Sequence, residues 1–354
     1  MKEARAFLDE GLPKSRHISQ SENISVGDAV DRWLSICKHE GREGKDPVSP
    51  ATVVNYEYRA KIIKAYGWTK GIRALEGPDA VAFRSWLLKN YSRDVAKKAL
   101  SSFHSVMLEM GTQGLLKTDP VAGVTIQRSR YDAPVEIPSV EEMQKILRTA
   151  DHLATHKNYW IREGWKRYRP MVYLAADTGM RPQEYLALLD NNLLEKGVQI
   201  SQALDSSNKI GPPKTRAGRR YIPIGGETLK LVRAYQAGKG GAKAGALLFP
   251  NENGGHQRYN NYLRRCWHKL MEYASMMDKR EVEGRETIEP RYTPYSLRHF
   301  YASMLINQNR DLKTIQERMG HADVKMTLEV YGHLIRQKHA EERAEEPGIL
   351  ELVL

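Results

Sequence analysis

The chain has 354 residues, longer than one hydrophobic core usually serves, so two domains with tails are expected. A hydrophobic share of 41% against 28% charged excludes a disordered chain, and no apolar run approaches the roughly 18 residues of a membrane helix. Only Cys37 and Cys266, far apart, are available for a disulfide, which suits a reducing, intracellular compartment, and the net charge of +12 favours a polyanionic partner because neutralised phosphates release counterions.

Residues 1–24 are polar and unpatterned, lack the apolar core of a secretory signal, and are expected to form a flexible tail. From Ser25 onward, Val26, Ala29, Val30, Trp33, Leu34 and Cys37 recur at helical spacing. Ser49-Pro50 is an N-cap followed by proline at the first helical position and opens a helix to about Tyr66. Gly77-Pro78 opens another toward Tyr91, and Ser92 begins a fourth that runs to about Met110. Residues 25–127 are therefore expected to form a compact helical domain, with Lys97, Lys98 and His104 as groups able to face DNA or plain solvent. The stretch 128–138 has two prolines and no periodicity, which predicts a linker.

Ser139-Val-Glu-Glu142 is a capping-box pattern that starts a second domain, expected over 139–337. This domain is expected to be mainly helical with a small antiparallel sheet. Gly197–Leu204 reads as one strand, and Pro213–Ile224 as two short strands about a turn at Ala217-Gly218. Helices are expected near 226–236, 258–277, 297–308, 312–319 and 323–331. Residues 338–354 form a C-terminal tail whose last six positions include five apolar residues, expected to dock in trans on a neighbouring copy.

There is no Walker-A loop, GxGxxG, HExxH or paired-cysteine zinc pattern, so neither cofactor nor metal is expected. What remains is a set of basic groups and one tyrosine. Arg181 lies in Thr178-Gly-Met-Arg-Pro-Gln-Glu184, and Lys214 lies in a hairpin among Lys209, Arg216, Arg219 and Arg220. Arg298 and His299 end Thr293-Pro-Tyr-Ser-Leu-Arg-His299, and Met319-Gly-His321 precedes Tyr331 by ten residues. Taken singly, each has an ordinary reading: Arg181 as a surface ion pair, His321 as a turn histidine, Tyr331 as helix-end packing in a chain with 18 tyrosines.

In order and spacing, the four pieces resemble the TGxRxxE box, the catalytic lysine turn, the HxLRH box and the LGH-x9-Y box of the tyrosine recombinases of the phage integrase family. The resemblance covers about 170–335, and the helical domain before it fits the family's core-binding domain in size and position. It implies a C-shaped clamp around duplex DNA attachment sites and a tetramer on DNA that works through a Holliday junction. Integration or excision of a mobile element, accessory directionality or DNA-bending proteins, and a cytoplasmic setting also follow from it. Arg181 and Arg298 would clamp the scissile phosphate, since guanidinium forks donate in pairs and keep their charge. Tyr331 would attack phosphorus, and Lys214 would protonate the 5′-hydroxyl leaving group. His321 would bond the phosphate or assist Tyr331, Glu184 would orient Arg181, and His299 would make a structural hydrogen bond. One departure stands out: Tyr295 occupies the place where the family usually has histidine, and a phenol offers a phosphate a single donated hydrogen bond. Three other readings stay open. These are a non-catalytic helix-turn-helix regulator built on Asp311–Tyr331, a relaxing topoisomerase of the same chemistry, and a phosphoesterase.

Overall fold

The computed structural model describes residues 24–127, 136–282 and 285–343. Most of the expected N-terminal tail, most of the linker and the C-terminal residues 344–354 lie outside the described residues. The chain divides into two compact units, Met1–Ala133 and Pro134–Leu354.

The first unit consists of α1 (Val26–His39), α2 (Pro50–Ala65), α3 (Gly77–Asn90) and α4 (Arg93–Thr112), with a 3-10 turn at Ile72–Ala74. Three helices start on serines whose hydroxyls accept first-turn backbone N–H groups: Ser25 from Asp28, Ser49 from Thr52, Ser92 from Val95. Val26, Val30 and Trp33 of α1 pack with Ile63, Phe83, Leu87, Phe103 and Met107 in a buried core. Trp68 stacks on Phe103 with centroids 4.8 Å apart and closes the core through Nε1, which donates to Ile63 O at 2.8 Å. Of the groups expected to face DNA, Lys98 is paired with Asp94 at 2.5 Å and His104 with Asp119 at 2.6 Å, while Lys97 is exposed.

The second unit opens on α5 (Val140–Ala154). Its capping box is made: Ser139 Oγ accepts from Glu142 N, and Glu142 Oε2 accepts from Ser139 N at 2.9 Å. The long α6 (Tyr159–Thr178) leads to the one-turn α7 (Pro182–Tyr185). Strands β1 (Gly197–Ile200), β2 (Ala203–Leu204), β3 (Ile210–Gly211) and β4 (Arg220–Pro223) follow, then α8 (Gly226–Gly238). An exposed loop at 242–245 leads on to α9 (Tyr259–Tyr262), which passes through a π-helical turn, Leu263–Trp267, into α10 (His268–Tyr273). The unit finishes with β5 (Met277–Val282), β6 (Arg285–Pro290), α11 (Pro294–Asn307), α12 (Leu312–Met319) and α13 (Val324–Arg343). Met171, Leu174 and Ala175 of α6 form one core with Val198, Ile222, Trp267, Leu297, Met319 and Tyr331.

The strands differ from expectation in three places. Gly197–Leu204 is broken into β1 and β2 at Ser201-Gln202, where Gln202 turns its amide to Ala187 O at 2.6 Å. The Pro213–Ile224 stretch holds one strand, because Pro212 and Pro213 have no N–H for a ladder; β4 pairs instead with β1, Val198 opposite Ile222. The helix expected to reach 277 stops at Tyr273, and β5 pairs antiparallel with β6, Lys279 opposite Ile288. Ser275, at φ +53°, breaks the helical course just before it.

Candidate active site

Four stretches far apart in sequence meet at the C-terminal end of α12. That end presents carbonyls that no helical N–H can reach, the negative end of the helix dipole. Three guanidinium groups take three successive ones: Arg220 Nε donates to Arg318 O at 2.7 Å, Arg298 Nη2 to Met319 O, and Arg181 Nη2 to Gly320 O at 3.2 Å. Arg298 also donates through Nη1 to Gly179 O at 2.8 Å. Both turn glycines are required where they stand. Gly179 has φ +59°, and a Cβ there would lie 2.4 Å from the Tyr301 ring; Gly320 has φ +62°, and a Cβ there would lie 2.7 Å from Arg220 Nη1.

Glu184 binds the arginines to one another. Its Oε1 accepts from Arg181 Nη1 and Arg220 Nη1, both at 2.9 Å, and its Oε2 accepts from Arg220 Nη2 at 2.9 Å and from Arg181 N at 2.8 Å. Burial alone would raise the Glu184 pKa, but the hydrogen bonds and charge of Arg220, then the charges of Arg181 and Arg298, outweigh it and lower it. Arg298 shows the opposite imbalance: burial, then the charge of Arg181, brings its pKa down to about 9. Three guanidinium groups face one carboxylate, so the cluster carries excess positive charge in a buried setting. It is built to receive an anion.

Tyr331 is 1% exposed on α13, and its oxygen is 2.8 Å from His299 Nδ1. Burial raises its pKa to about 12 against the lowering charges of Arg298 and Arg181. His321 directs Nδ1 to Thr327 Oγ1 at 2.8 Å, so any further bond from its ring goes through Nε2. Burial, followed by the neighbouring arginines, lowers its pKa to about 4. Tyr295 is half-buried and donates its hydroxyl to Gln183 Oε1 at 2.7 Å, and burial raises its pKa.

The structure thus brings Arg181, Glu184, Arg298, His299, His321 and Tyr331 into one neighbourhood. Tyr295 lies within the field of Arg181 and Arg298. Lys214 stands apart: it is exposed in the loop before the 3-10 turn Arg216–Gly218, with no hydrogen-bond partner among the described residues. Sequence reasoning passed over Arg220, Gln183 and Thr327 as partners of the site. For Arg220 a signal existed, since Arg220, Ile222 and Ile224 alternate at strand spacing and share the inward face. A cavity of about 390 Å³ beside Trp160, Trp165 and Tyr273 holds none of these residues.

The model of the phage integrase family matches residues 139–338. The ICEBs1 integrase of Bacillus subtilis (strain 168) is 26% identical over 356 residues, spanning 95% of this chain and 85% of that protein. Tyrosine recombinase XerC of Xanthomonas campestris pv. campestris (strain B100) is 24% identical over 284 residues, 78% of this chain and 77% of that one. Among solved structures, the Tn1549 transposon integrase in complex with transposon right end DNA matches with a TM-score of 0.67 at 19% identity. That match covers 91% of this chain and 100% of that one. A lambda integrase tetramer bound to a Holliday junction matches with a TM-score of 0.60 at 16% identity, over 91% of this chain and 85% of that one. At such identities the structural likeness is one of fold.

Proposed function

Because the chain belongs to the phage integrase family, we propose that it is a site-specific tyrosine recombinase that cuts and rejoins duplex DNA at the attachment sites of a mobile element. The observation that carries this reading is the excess of guanidinium charge over carboxylate around a buried tyrosine. In the reaction, Tyr331 Oη attacks the scissile phosphorus to give a 3′-phosphotyrosine, and the 5′-oxygen departs with a proton from Lys214. Arg181 and Arg298 balance the charge that builds on the non-bridging oxygens, a preorganised contribution of the kind that usually dominates catalysis. With Thr327 on Nδ1, His321 has Nε2 available to donate to the same phosphate. The 5′-hydroxyl of a second duplex then displaces Tyr331, and the bond energy kept in the phosphotyrosine makes ATP unnecessary.

The relatives support this reading. The ICEBs1 integrase, the Tn1549 transposon integrase on transposon right end DNA and a lambda integrase tetramer bound to a Holliday junction support staggered strand exchange by four copies on DNA. The apolar residues among 349–354 would knit neighbouring copies together. Deleting 348–354 then leaves single-site binding intact and abolishes pairing of two sites. A helix-turn-helix regulator would use the α12–α13 turn but leave the arginine cluster idle. The test is incubation with a nicked suicide duplex in the absence of metal. Wild-type protein forms a covalent adduct at Tyr331 and joins two particular sites, and Tyr331→Phe binds DNA but forms no adduct. An adduct on another tyrosine, or none at all, overturns the assignment.

A further inference from the structure

Attack by a phenol releases a proton, and the roles assigned above provide for the leaving group's proton but not for this one. Arginines can steady the charge of an incoming phenolate but cannot take its proton. Among the described residues, the titratable side chain hydrogen-bonded to the Tyr331 oxygen is His299, through Nδ1 at 2.8 Å, with ring centroids 5.7 Å apart. The alternatives are engaged elsewhere: His321 has Nδ1 on Thr327 and its Nε2–H is assigned above to the phosphate, and the Tyr295 hydroxyl is on Gln183. His299 follows Tyr295 by four residues on α11, so the two lie on one helix face, and the imidazole is the one that reaches the nucleophile.

We propose that His299 is the catalytic base of strand cleavage, accepting the Tyr331 hydroxyl proton on Nδ1 as the Oη–P bond forms. This rests on the recombinase reading above. The Nε2–H tautomer leaves Nδ1 as the acceptor, and burial, then the Arg298 charge, lowers the His299 pKa to about 4, so the lone pair is free at neutral pH. A phosphate docked on Arg298 counters the second of these causes, so the base strengthens as substrate arrives. In cleavage the Oη–H and P–O5′ bonds break, Oη–P and Nδ1–H form, and the 5′-oxygen takes its proton from Lys214. In rejoining, the incoming 5′-hydroxyl returns a proton to Lys214, and His299 hands its own back to the departing tyrosine. No net proton is consumed.

The test uses the full chain in single-turnover cleavage of a suicide duplex. His299→Asn keeps an acceptor near the Nδ1 position but cannot take a proton, and it should slow adduct formation about 100-fold with duplex binding little changed. Placing the more acidic 3,5-difluorotyrosine at position 331 should shrink that deficit to below about tenfold, whereas a purely structural role predicts the same deficit with either tyrosine. A second measurement needs no His299 variant. On a duplex with a 5′-bridging sulfur, whose thiolate leaves without protonation, the wild-type protein should show a solvent isotope effect of about 2 from the Tyr331 proton. A wild-type rate for His299→Asn, an unchanged deficit with the fluorinated tyrosine, or an isotope effect of unity overturns the proposal. A wild-type protein that forms no adduct at Tyr331 would instead overturn the recombinase reading beneath it.

Discussion

Arg220 and Glu184 meet fork to fork, each carboxylate oxygen accepting one guanidinium N–H at 2.9 Å, with both side chains buried. Because Arg220 is enclosed and its donors are committed to Glu184, Gly218 O and Arg318 O, its place is behind the proposed clamp. It fixes the carboxylate that in turn fixes Arg181. Removing one member of a buried pair strands the other, so Arg220→Met should cost about 3–5 kcal/mol of stability. The double variant Glu184→Leu with Arg220→Met should recover much of that, since a buried pair often contributes little net stability over apolar groups of similar size. Cleavage should not recover with it, because among the described residues the Arg181 side chain keeps only Gly320 O as an acceptor. Thermal melts beside adduct assays decide the matter. A double variant that cleaves at the wild-type rate would show that Arg181 needs no such anchor.

Lys214 makes the simplest chemical prediction. If it supplies the leaving-group proton, Lys214→Ala should slow cleavage of ordinary duplex by roughly 10²–10⁴-fold. On the 5′-bridging sulfur substrate the same variant should come within a few-fold of wild type. A deficit of equal size on both substrates would make Lys214 a DNA-backbone contact.

Tyr295 gives its single hydroxyl hydrogen to Gln183 Oε1, so its approach to a phosphate requires that bond to be exchanged. Tyr295→Phe should slow cleavage by about tenfold through loss of one hydrogen bond. Tyr295→His, which restores the common family residue, should keep or raise the rate. Equal rates for tyrosine and phenylalanine would mark the hydroxyl as idle.

The stability of the protein should fall on mild acidification. The unfolded His321 ring takes a proton at its ordinary 6.5, whereas in the folded protein burial and then Arg298, Arg181 and Arg220 hold protonation off until about 4. Between those values the unfolded chain binds more protons, so stability is complete above pH 6.5 and drains away as the pH drops toward 4. His321 alone accounts for a loss on the order of 3 kcal/mol, and His299 acts in the same direction. Melts from pH 7.5 to 4 should flatten in His321→Gln. A slope identical to wild type would place the acid sensitivity elsewhere.

The helix starts were legible in the sequence because a cap is a local event. Ser25, Ser49, Ser92 and Ser139 each accept from a backbone N–H three residues ahead, and the pattern needs no knowledge of the fold. The antiparallel pair of β5 and β6 was missed because Met277 extends an apolar helical rhythm, and the break at Ser275 depends on a backbone conformation that serine does not announce. The boxes around Arg181, Arg298, His321 and Tyr331 could be read from spacing. Which histidine touches Tyr331 could not, because that depends on how α11 and α13 pack. The same holds for the Arg220–Glu184 pair, 36 residues apart in sequence.

The arginine cluster draws its parts from both sides of the exposed loop at 242–245. Severing the chain between Ala244 and Gly245 would leave Arg181, Glu184, Lys214 and Arg220 on one fragment and Arg298, His299, His321 and Tyr331 on the other. Neither fragment would own the whole of the proposed phosphate clamp or of the proposed proton path. Strand cutting would then behave as a two-input gate, silent with either fragment and switched on when tethered partners bring the halves together. A genome-editing tool that must stay off until two signals coincide needs that property.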